Sequence, residues 1–203
     1  MRYFLHTNLA ADGFEGGVNI PALCAQLGIG DKVIFCDQER YRAGFPDVYL
    51  HALYCATDVL NAVSLGEGFG IPTLESQACG TPVIVSDFAA QRDLCFAGWK
   101  VLPSPLDGER EGLRFYDGQG AWVFIPEPQA IADRMEMAYA LLQSDDQRRL
   151  LSDAALAGAE DYRIDTVVQR YWKPAIEELQ ASIASEGSRG VLRIIRREEV
   201  LSG

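Results

Sequence analysis

The feature that most limits the folds open to this chain is an alternation of short apolar runs with segments of helical pattern. The runs are apolar throughout and rich in β-branched residues: KVIFC (32–36), DVLNAV (58–63) and PVIV (82–85). The segments that alternate with them carry helix-boundary residues: 18–31, 46–56 and 72–79. Strands that are apolar on both sides are typical of parallel sheets covered on both faces. The sequence therefore predicts the α/β class, a parallel sheet with helices on both faces.

The remaining segments are less regular. Residues 3–6 form a short β-like run, and 37–45 are predicted to be a polar loop. After Asp87 the pattern loosens into three short strand-like stretches that we expect to form a small β excursion: 98–105, 112–118 and 121–126. From Glu127 to Ser185 the chain is predicted to be helical, in three segments, whereas the pattern of the last residues, 186–203, is mixed.

The amino-acid composition limits the kinds of ligand that the chain can bind. The chain has 203 residues, 48% of them hydrophobic, and a formal net charge of -11. This acidic balance argues against nucleic-acid binding, which needs clustered Lys and Arg. A nucleotide ligand stays possible, because backbone amides and one basic side chain suffice to hold a diphosphate. The sequence shows neither a signal peptide nor an apolar stretch of membrane-spanning length, so we expect a cytoplasmic location.

The cysteines predict no disulfide framework. There are five, an odd number, and none of them form a C-x-x-C pair. Free thiols in a reducing compartment are therefore favoured over disulfides or a zinc site. The two histidines, His6 and His51, have no nucleophile or ligand partner in view along the sequence, and we expect packing or surface roles for both.

The loop SLGEGFG (64–70) is the strongest candidate for a binding site. It follows the predicted strand 58–63, and ligands of parallel α/β proteins bind beyond the carboxyl ends of the strands. Its three glycines allow close approach of a ligand to the backbone. A helix begins at Pro72, and the free amides of a helix start attract anions such as a diphosphate.

Two glutamates flank this loop. Glu75 lies in the first turn of the helix, where a carboxylate can accept two hydrogen bonds from adjacent hydroxyls, as on a ribose. Glu67 offers a second acceptor to another polyol, so the pair suggests a ligand with a sugar at each end of a diphosphate. Each glutamate also has an ordinary explanation, because a first-turn Glu is favourable without a ligand and a loop Glu is usually solvated. The dinucleotide fingerprint is excluded, since Thr73 stands where its third Gly is expected.

The stretch SLGEGFGIPTLESQACGTPVIVSD (64–87) resembles the E-x7-E signature of group 1 glycosyltransferases, which are retaining enzymes of the GT-B fold. Further stretches follow the order of that family's C-terminal domain: 27–35, 52–70 and 120–142. The resemblance covers about residues 3–180. It implies a Rossmann-like nucleotide-sugar-binding domain over 1–180 and a C-terminal tail over 181–203.

The resemblance also implies a role for each residue of the site. Glu67 would be catalytic and contact the transferred sugar, while Glu75 would bind the ribose. Phe35 and Cys36 would border the base. The rest of the donor-binding set lies around the helix start: Gly68, Phe69, Gly70, Ile71, Thr73 and Leu74. The donor would be a UDP- or GDP-type sugar, bound without a cofactor and, as no D-x-D motif is present, without a metal.

The sequence departs from the family pattern in two respects. The family's diphosphate-clamping Arg and Lys and its N-terminal acceptor domain have no counterpart here, and Arg92 is either a partial substitute or a surface residue. We therefore expect the donor-binding half of a hexosyl-type glycosyltransferase, acting with retention on an unknown acceptor and needing an N-terminal domain or partner subunit. Two alternatives stay open: a catalytically inactive nucleotide-sugar-binding or interaction module, and an unrelated α/β nucleotide-binding protein.

Overall fold

The structure is a computed structural model that describes residues 1–9, 18–103, 113–118 and 120–186. Most of the predicted C-terminal tail, from residue 187 onward, lies outside the described residues. The predicted boundary at residue 180 falls within the last described helix, and the division itself stays a prediction.

Among its described residues, the N-terminal part contains a two-stranded parallel sheet and three α-helices. Strand β1 (Tyr3–Leu5) pairs with β2 (Val33–Phe35), and α1 (Ile20–Gln26) lies between them in sequence. Helix α2 (Gln38–Ala43) is followed by α3 (Asp47–Ala56). The prediction of a loop over 37–45 was wrong.

Helix α2 forms because its first turn has a strong cap. The Asp37 side chain accepts a hydrogen bond from the amide of Arg40 at 2.9 Å. An Asp at this position satisfies one of the amides that a helix start leaves unpaired, which stabilises even a short helix. The polar composition of the segment concealed this signal.

The central sheet has three parallel strands in the order β3–β4–β5. Strand β3 is short (Leu60–Asn61), β4 spans Val83–Ser86 and β5 spans Gly98–Val101. Helix α4 (Ile71–Ala78) connects β3 to β4, and α5 (Ala89–Asp93) precedes β5. The sequence placed β5 in the β excursion; the structure corrects this, because β5 pairs with β4 along its whole length.

Both faces of the central sheet are covered. Val83, Ile84 and Val85 of β4 have no exposed surface, and successive strand residues point to opposite faces. On one face, Ile84 and Val101 pack against Ala138 and Leu142. The structure therefore confirms the predicted α/β class with parallel pairing, although the parallel strands form two sheets.

The β excursion is an antiparallel pair, β6 (Arg114–Tyr116) and β7 (Trp122–Phe124). It contacts the loop that follows β3: the amide of Phe124 donates to the carbonyl of Leu65 at 3.1 Å, and the rings of Phe88 and Phe124 lie 4.2 Å apart. These contacts place the pair beside the candidate site.

The described C-terminal part, from Pro128 to Glu186, is mostly helical, as predicted. Helices α6 (Pro128–Leu141) and α7 (Asp145–Ala159) are followed by α8 (Ile164–Val167), a π-helical turn (Val168–Trp172) and α9 (Lys173–Glu186). Helix α7 packs against α4, and its Gly158 lies against the ring of Phe96, between α5 and β5, so closely that there is no room for a Cβ. None of the helices in the described ranges is long and apolar enough to cross a membrane.

Candidate functional site

The glycine loop ends in a conformation that requires glycine at one position. Gly70 caps α4 with φ +90° and ψ +54°, in the left-handed region. A Cβ there would lie 3.5 Å from Cγ of Gln91 and 3.6 Å from Oγ1 of Thr73. Gly66 and Gly68 have no positive φ. Of the three loop glycines, Gly70 is therefore the one that sets the turn into the helix.

The start of α4 offers a small set of free amides. The amides of Thr73 and Leu74 already donate to the carbonyl of Gly70, at 3.0 and 3.3 Å, and Pro72 has no amide hydrogen. The amides of Phe69, Gly70 and Ile71 donate to no other residue within the described ranges. These three amides are the donors that an anion could engage at this helix start.

Thr73 lies beneath this turn. Its side chain has no exposed surface, and its hydroxyl has no hydrogen-bond partner among the residues that the structure describes. Because the side chain is covered by Gly70, it supports the turn from inside the protein. A direct contact between Thr73 and a ligand stays a prediction.

Glu75 is oriented by a tyrosine that the sequence did not reveal. The hydroxyl of Tyr54 on α3 donates to Oε2 of Glu75 at 3.0 Å. Burial raises the pKa of Tyr54 well above its usual range, and the hydrogen bond to the Glu75 carboxylate raises it further, so the phenol remains a donor at neutral pH. Glu75 itself is exposed, which leaves its other oxygen accessible.

Glu67 lies free at the middle of the loop. Its side chain is exposed and has no hydrogen-bond or ion-pair partner in the described part of the chain. The neighbouring Phe69 is 45% exposed, and its ring meets the edge of Tyr162 at a centroid distance of 6.1 Å. The loop therefore presents the Glu67 carboxylate to solvent, and the Phe69 ring contacts the turn between α7 and α8.

A buried glutamine anchors the beginning of the loop. Gln91, which is 2% exposed, donates from Nε2 to the carbonyl of Ala62 at 2.6 Å. Its Oε1 accepts from the amide of Ser86 and from the hydroxyl of Ser64, both at 3.3 Å. Gln91 thus ties the carboxyl ends of β3 and β4 together below Gly70. No local pattern marked this residue in the sequence.

The two residues predicted to border the base lie at the other parallel sheet. Phe35 ends β2 and is half-buried, whereas Cys36 is 4% exposed, with its thiol 3.5 Å from the carbonyl of Thr7. Gln38 donates to the carbonyl of Cys36 at 3.0 Å. Across the described ranges no hydrogen bond joins this edge to the glycine loop, so the base-binding role stays a prediction.

Arg92 is engaged by a neighbour. Its Nε lies 2.9 Å from Oδ1 of Asp87, and its Nη2 donates to the Asp87 carbonyl at 2.6 Å. His6 packs among aromatic rings, with centroid distances of 5.3 Å to Tyr41 and 5.2 Å to Phe45. His6 thus has the packing role that we expected.

These features define a class of protein: an α/β protein with a parallel central sheet and a glycine turn that opens a helix at the carboxyl edge of that sheet. The model of the family described as "Glycosyl transferases group 1" matches residues 13–140. The chain therefore belongs to the group 1 glycosyl transferases, which confirms the resemblance found in the sequence.

The similar proteins are longer than this chain. The D-inositol 3-phosphate glycosyltransferase of Corynebacterium urealyticum is 30% identical over 153 residues, which are 75% of this chain and 30% of that protein. The protein of the same name from Corynebacterium jeikeium is 28% identical over 83% of this chain and 32% of its own length. The chain thus spans about a third of the length of these relatives.

Two solved structures share the fold. A glycosyltransferase from Rickettsia africae superposes with a TM-score of 0.55 at 17% identity, over 79% of this chain and 35% of that one. Sucrose-phosphate synthase from Thermosynechococcus elongatus gives a TM-score of 0.56 at 20% identity, over 80% and 34%. At these sequence identities the two structures show that the fold is shared. This fold is that of GT-B domains.

Proposed function

We propose that this chain is the donor-binding half of a retaining glycosyltransferase and holds a nucleoside-diphosphate sugar at the glycine loop. The observation that carries the proposal is a juxtaposition at the start of α4. The Glu75 carboxylate, held by Tyr54 at 3.0 Å, lies about one turn from the unengaged amides of Phe69, Gly70 and Ile71. A carboxylate next to free amides suits a ribose joined to a diphosphate.

Each group has a distinct task in this proposal. Glu75 accepts the ribose hydroxyls, and the amides of residues 68–71 meet the sugar and the diphosphate. Glu67 contacts the transferred hexose, and Phe35 and Cys36 border a uracil or guanine base. Thr73 and Leu74 support the diphosphate position from below. Transfer is then promoted electrostatically, because amides that already point at the leaving diphosphate stabilise its growing charge.

The acceptor side belongs, in this proposal, to further polypeptide. The chain spans about a third of its similar relatives. An N-terminal domain or a partner subunit would close the cleft, exclude water and position the acceptor. The rival reading is an inactive binding module. Assays of transfer from radiolabelled UDP- and GDP-sugars, with this chain supplied alone and with host extract, distinguish the two.

Replacement of Glu75 tests the ribose assignment. We expect Glu75→Gln to weaken donor binding by about 1.5–3 kcal/mol, because hydrogen bonds to a charged acceptor are lost; this is roughly a ten- to hundredfold rise in Kd. The donor is first selected by thermal shift among UDP-, GDP- and ADP-sugars. Its affinity for each variant is then measured by isothermal titration calorimetry.

The matched control is Glu136→Gln, which removes one negative charge from an exposed position on α6. This variant should bind the donor as the wild type does. Tyr54→Phe deletes only the hydroxyl that holds Glu75 and should give a smaller loss than Glu75→Gln. Equal affinities of the Glu75 and Glu136 variants would refute the ribose assignment.

Magnesium should not contribute to donor binding, because the amides at the start of α4 take the place of a cation at the diphosphate. After treatment with a chelator, we expect addition of Mg²⁺ to change the donor Kd by less than about twofold. Mg²⁺ is the informative ion, since it prefers oxygen ligands. A donor affinity that depends on Mg²⁺ would contradict the proposed diphosphate site.

A further inference from the structure

A histidine and two cysteines meet between α3 and α4. His51 and Cys55 lie one turn apart on α3, and Cys79 ends α4. Nδ1 of His51 lies 3.3 Å from Sγ of Cys79 and 3.9 Å from Sγ of Cys55. His51 is exposed, as a surface role requires, but the fold also brings Cys79 to it from a different helix, a partner that was not in view along the sequence.

The spacing of these atoms matches that around a tetrahedral metal ion. Zn–S and Zn–N bonds of about 2.3 and 2.05 Å at a tetrahedral angle put nitrogen and sulfur roughly 3.6 Å apart. The two observed distances from Nδ1, 3.3 and 3.9 Å, bracket this value. All three ligand atoms lie within 4.8 Å of one another. The Sγ of Cys55 also lies 3.7 Å from Nε2, so the imidazole has to turn for Nδ1 to face both sulfur atoms.

The cluster is accessible from solvent. His51 and Cys55 are exposed and Cys79 is half-buried, so an ion can enter without opening the core. Two thiolates and an imidazole select a thiophilic ion over Mg²⁺ or Ca²⁺, which prefer oxygen ligands. Three protein ligands leave the fourth tetrahedral position to a water molecule.

We propose that His51, Cys55 and Cys79 bind a divalent ion of the zinc type, through the imidazole Nδ1 and two thiolates. Binding releases the protons of the two thiols to solvent. The ion would join α3 to α4 at the end of α4 remote from the glycine loop. Cys79 is eight residues from Ile71, or about 12 Å along the helix, so this ion would not contact the diphosphate position.

The proposed site also adjoins the residues that orient Glu75. Tyr54 precedes Cys55 on α3, and Glu75 lies one turn before Cys79 on α4. An ion that fixes α3 against α4 would therefore keep the hydroxyl of Tyr54 within hydrogen-bonding distance of the Glu75 carboxylate. Metal binding does not depend on the proposed donor site, and it can be measured without any sugar nucleotide.

Cobalt is the probe for the experiment, since it takes the place of zinc and reports thiolate ligands through a sulfur-to-cobalt charge-transfer band. The full chain, reduced and stripped of metal, is titrated with Co²⁺ and then with competing Zn²⁺. We expect one equivalent to bind with that band, and Cys55→Ser, Cys79→Ser and His51→Asn each to weaken binding by about tenfold or more. Zn²⁺ should raise the Tm of the wild type.

The control is Cys95→Ser, which removes a free, half-buried thiol outside the cluster and should leave the metal affinity unchanged. Cys55 is exposed, so Cys55→Ser should fold normally, and circular dichroism checks this. The proposal is overturned if Cys55→Ser binds Co²⁺ as tightly as the Cys95 variant does. It is also overturned if the wild type shows no charge-transfer band.

Discussion

Gly98→Ala is expected to destabilise the protein by about 3 kcal/mol or more, because a methyl group has no space at this position. A Cβ on Gly98 would lie 1.8 Å from the carbonyl oxygen of Val83. The clashing atom belongs to the backbone of β4 and cannot rotate away. Gly98 also has φ +144°, a conformation that other residues rarely adopt. The β4–β5 pairing, which begins at Val83 and Gly98, would have to open.

Urea denaturation followed by circular dichroism measures this loss. Gly30→Ala is the control, because a Cβ at Gly30 would meet no atom within 4 Å and Gly30 has no positive φ. We expect the control to change stability by less than about 0.5 kcal/mol. A Gly98→Ala midpoint equal to that of the control would show that β4 and β5 do not pair as described.

Gln77→Leu is expected to cost on the order of 3 kcal/mol through unpaired buried backbone groups. The Gln77 side chain has no exposed surface. Its Oε1 accepts from the amides of Phe96 and Ala97, at 2.8 and 3.0 Å, and its Nε2 donates to the carbonyl of Leu94 at 2.6 Å. Leucine has a similar size but no polar atoms, so these groups would lose their partner without the creation of a large cavity.

Gln143→Leu is the matched control for this effect. Gln143 is exposed and donates to the carbonyl of Tyr139 at 2.9 Å, so that water can replace its hydrogen bond. The control should lie within about 0.5 kcal/mol of the wild type in the same denaturation experiment. If Gln77→Leu proves as stable as Gln143→Leu, the hydrogen-bond network at the entrance to β5 is not as the structure describes it.

The outline of the candidate site was predictable from short stretches of sequence. The loop 64–70 and the helix that follows it lie where the pattern placed them, and α4 begins at Ile71, one residue before the prediction. A glycine-rich turn, a proline and a first-turn glutamate affect the backbone of the residues next to them. Their effect can therefore be predicted from a short stretch of sequence. The residues that brace the site were not predictable, since their partners lie 21 to 29 positions away: Tyr54 to Glu75 and Gln91 to Ala62.

The sequence by itself determined the α/β class, because continuous apolar runs and helical periodicity are local consequences of burial. It also determined the location of β2, α3, α4 and β4. Only the tertiary structure decided that β5 joins the central sheet, that Gly98 must be glycine, and that His51 meets Cys79 across 28 residues. Each of these features depends on a contact between segments that are distant in the sequence. Such a contact produces no periodic pattern of residues in either segment, so it cannot be predicted from the sequence pattern.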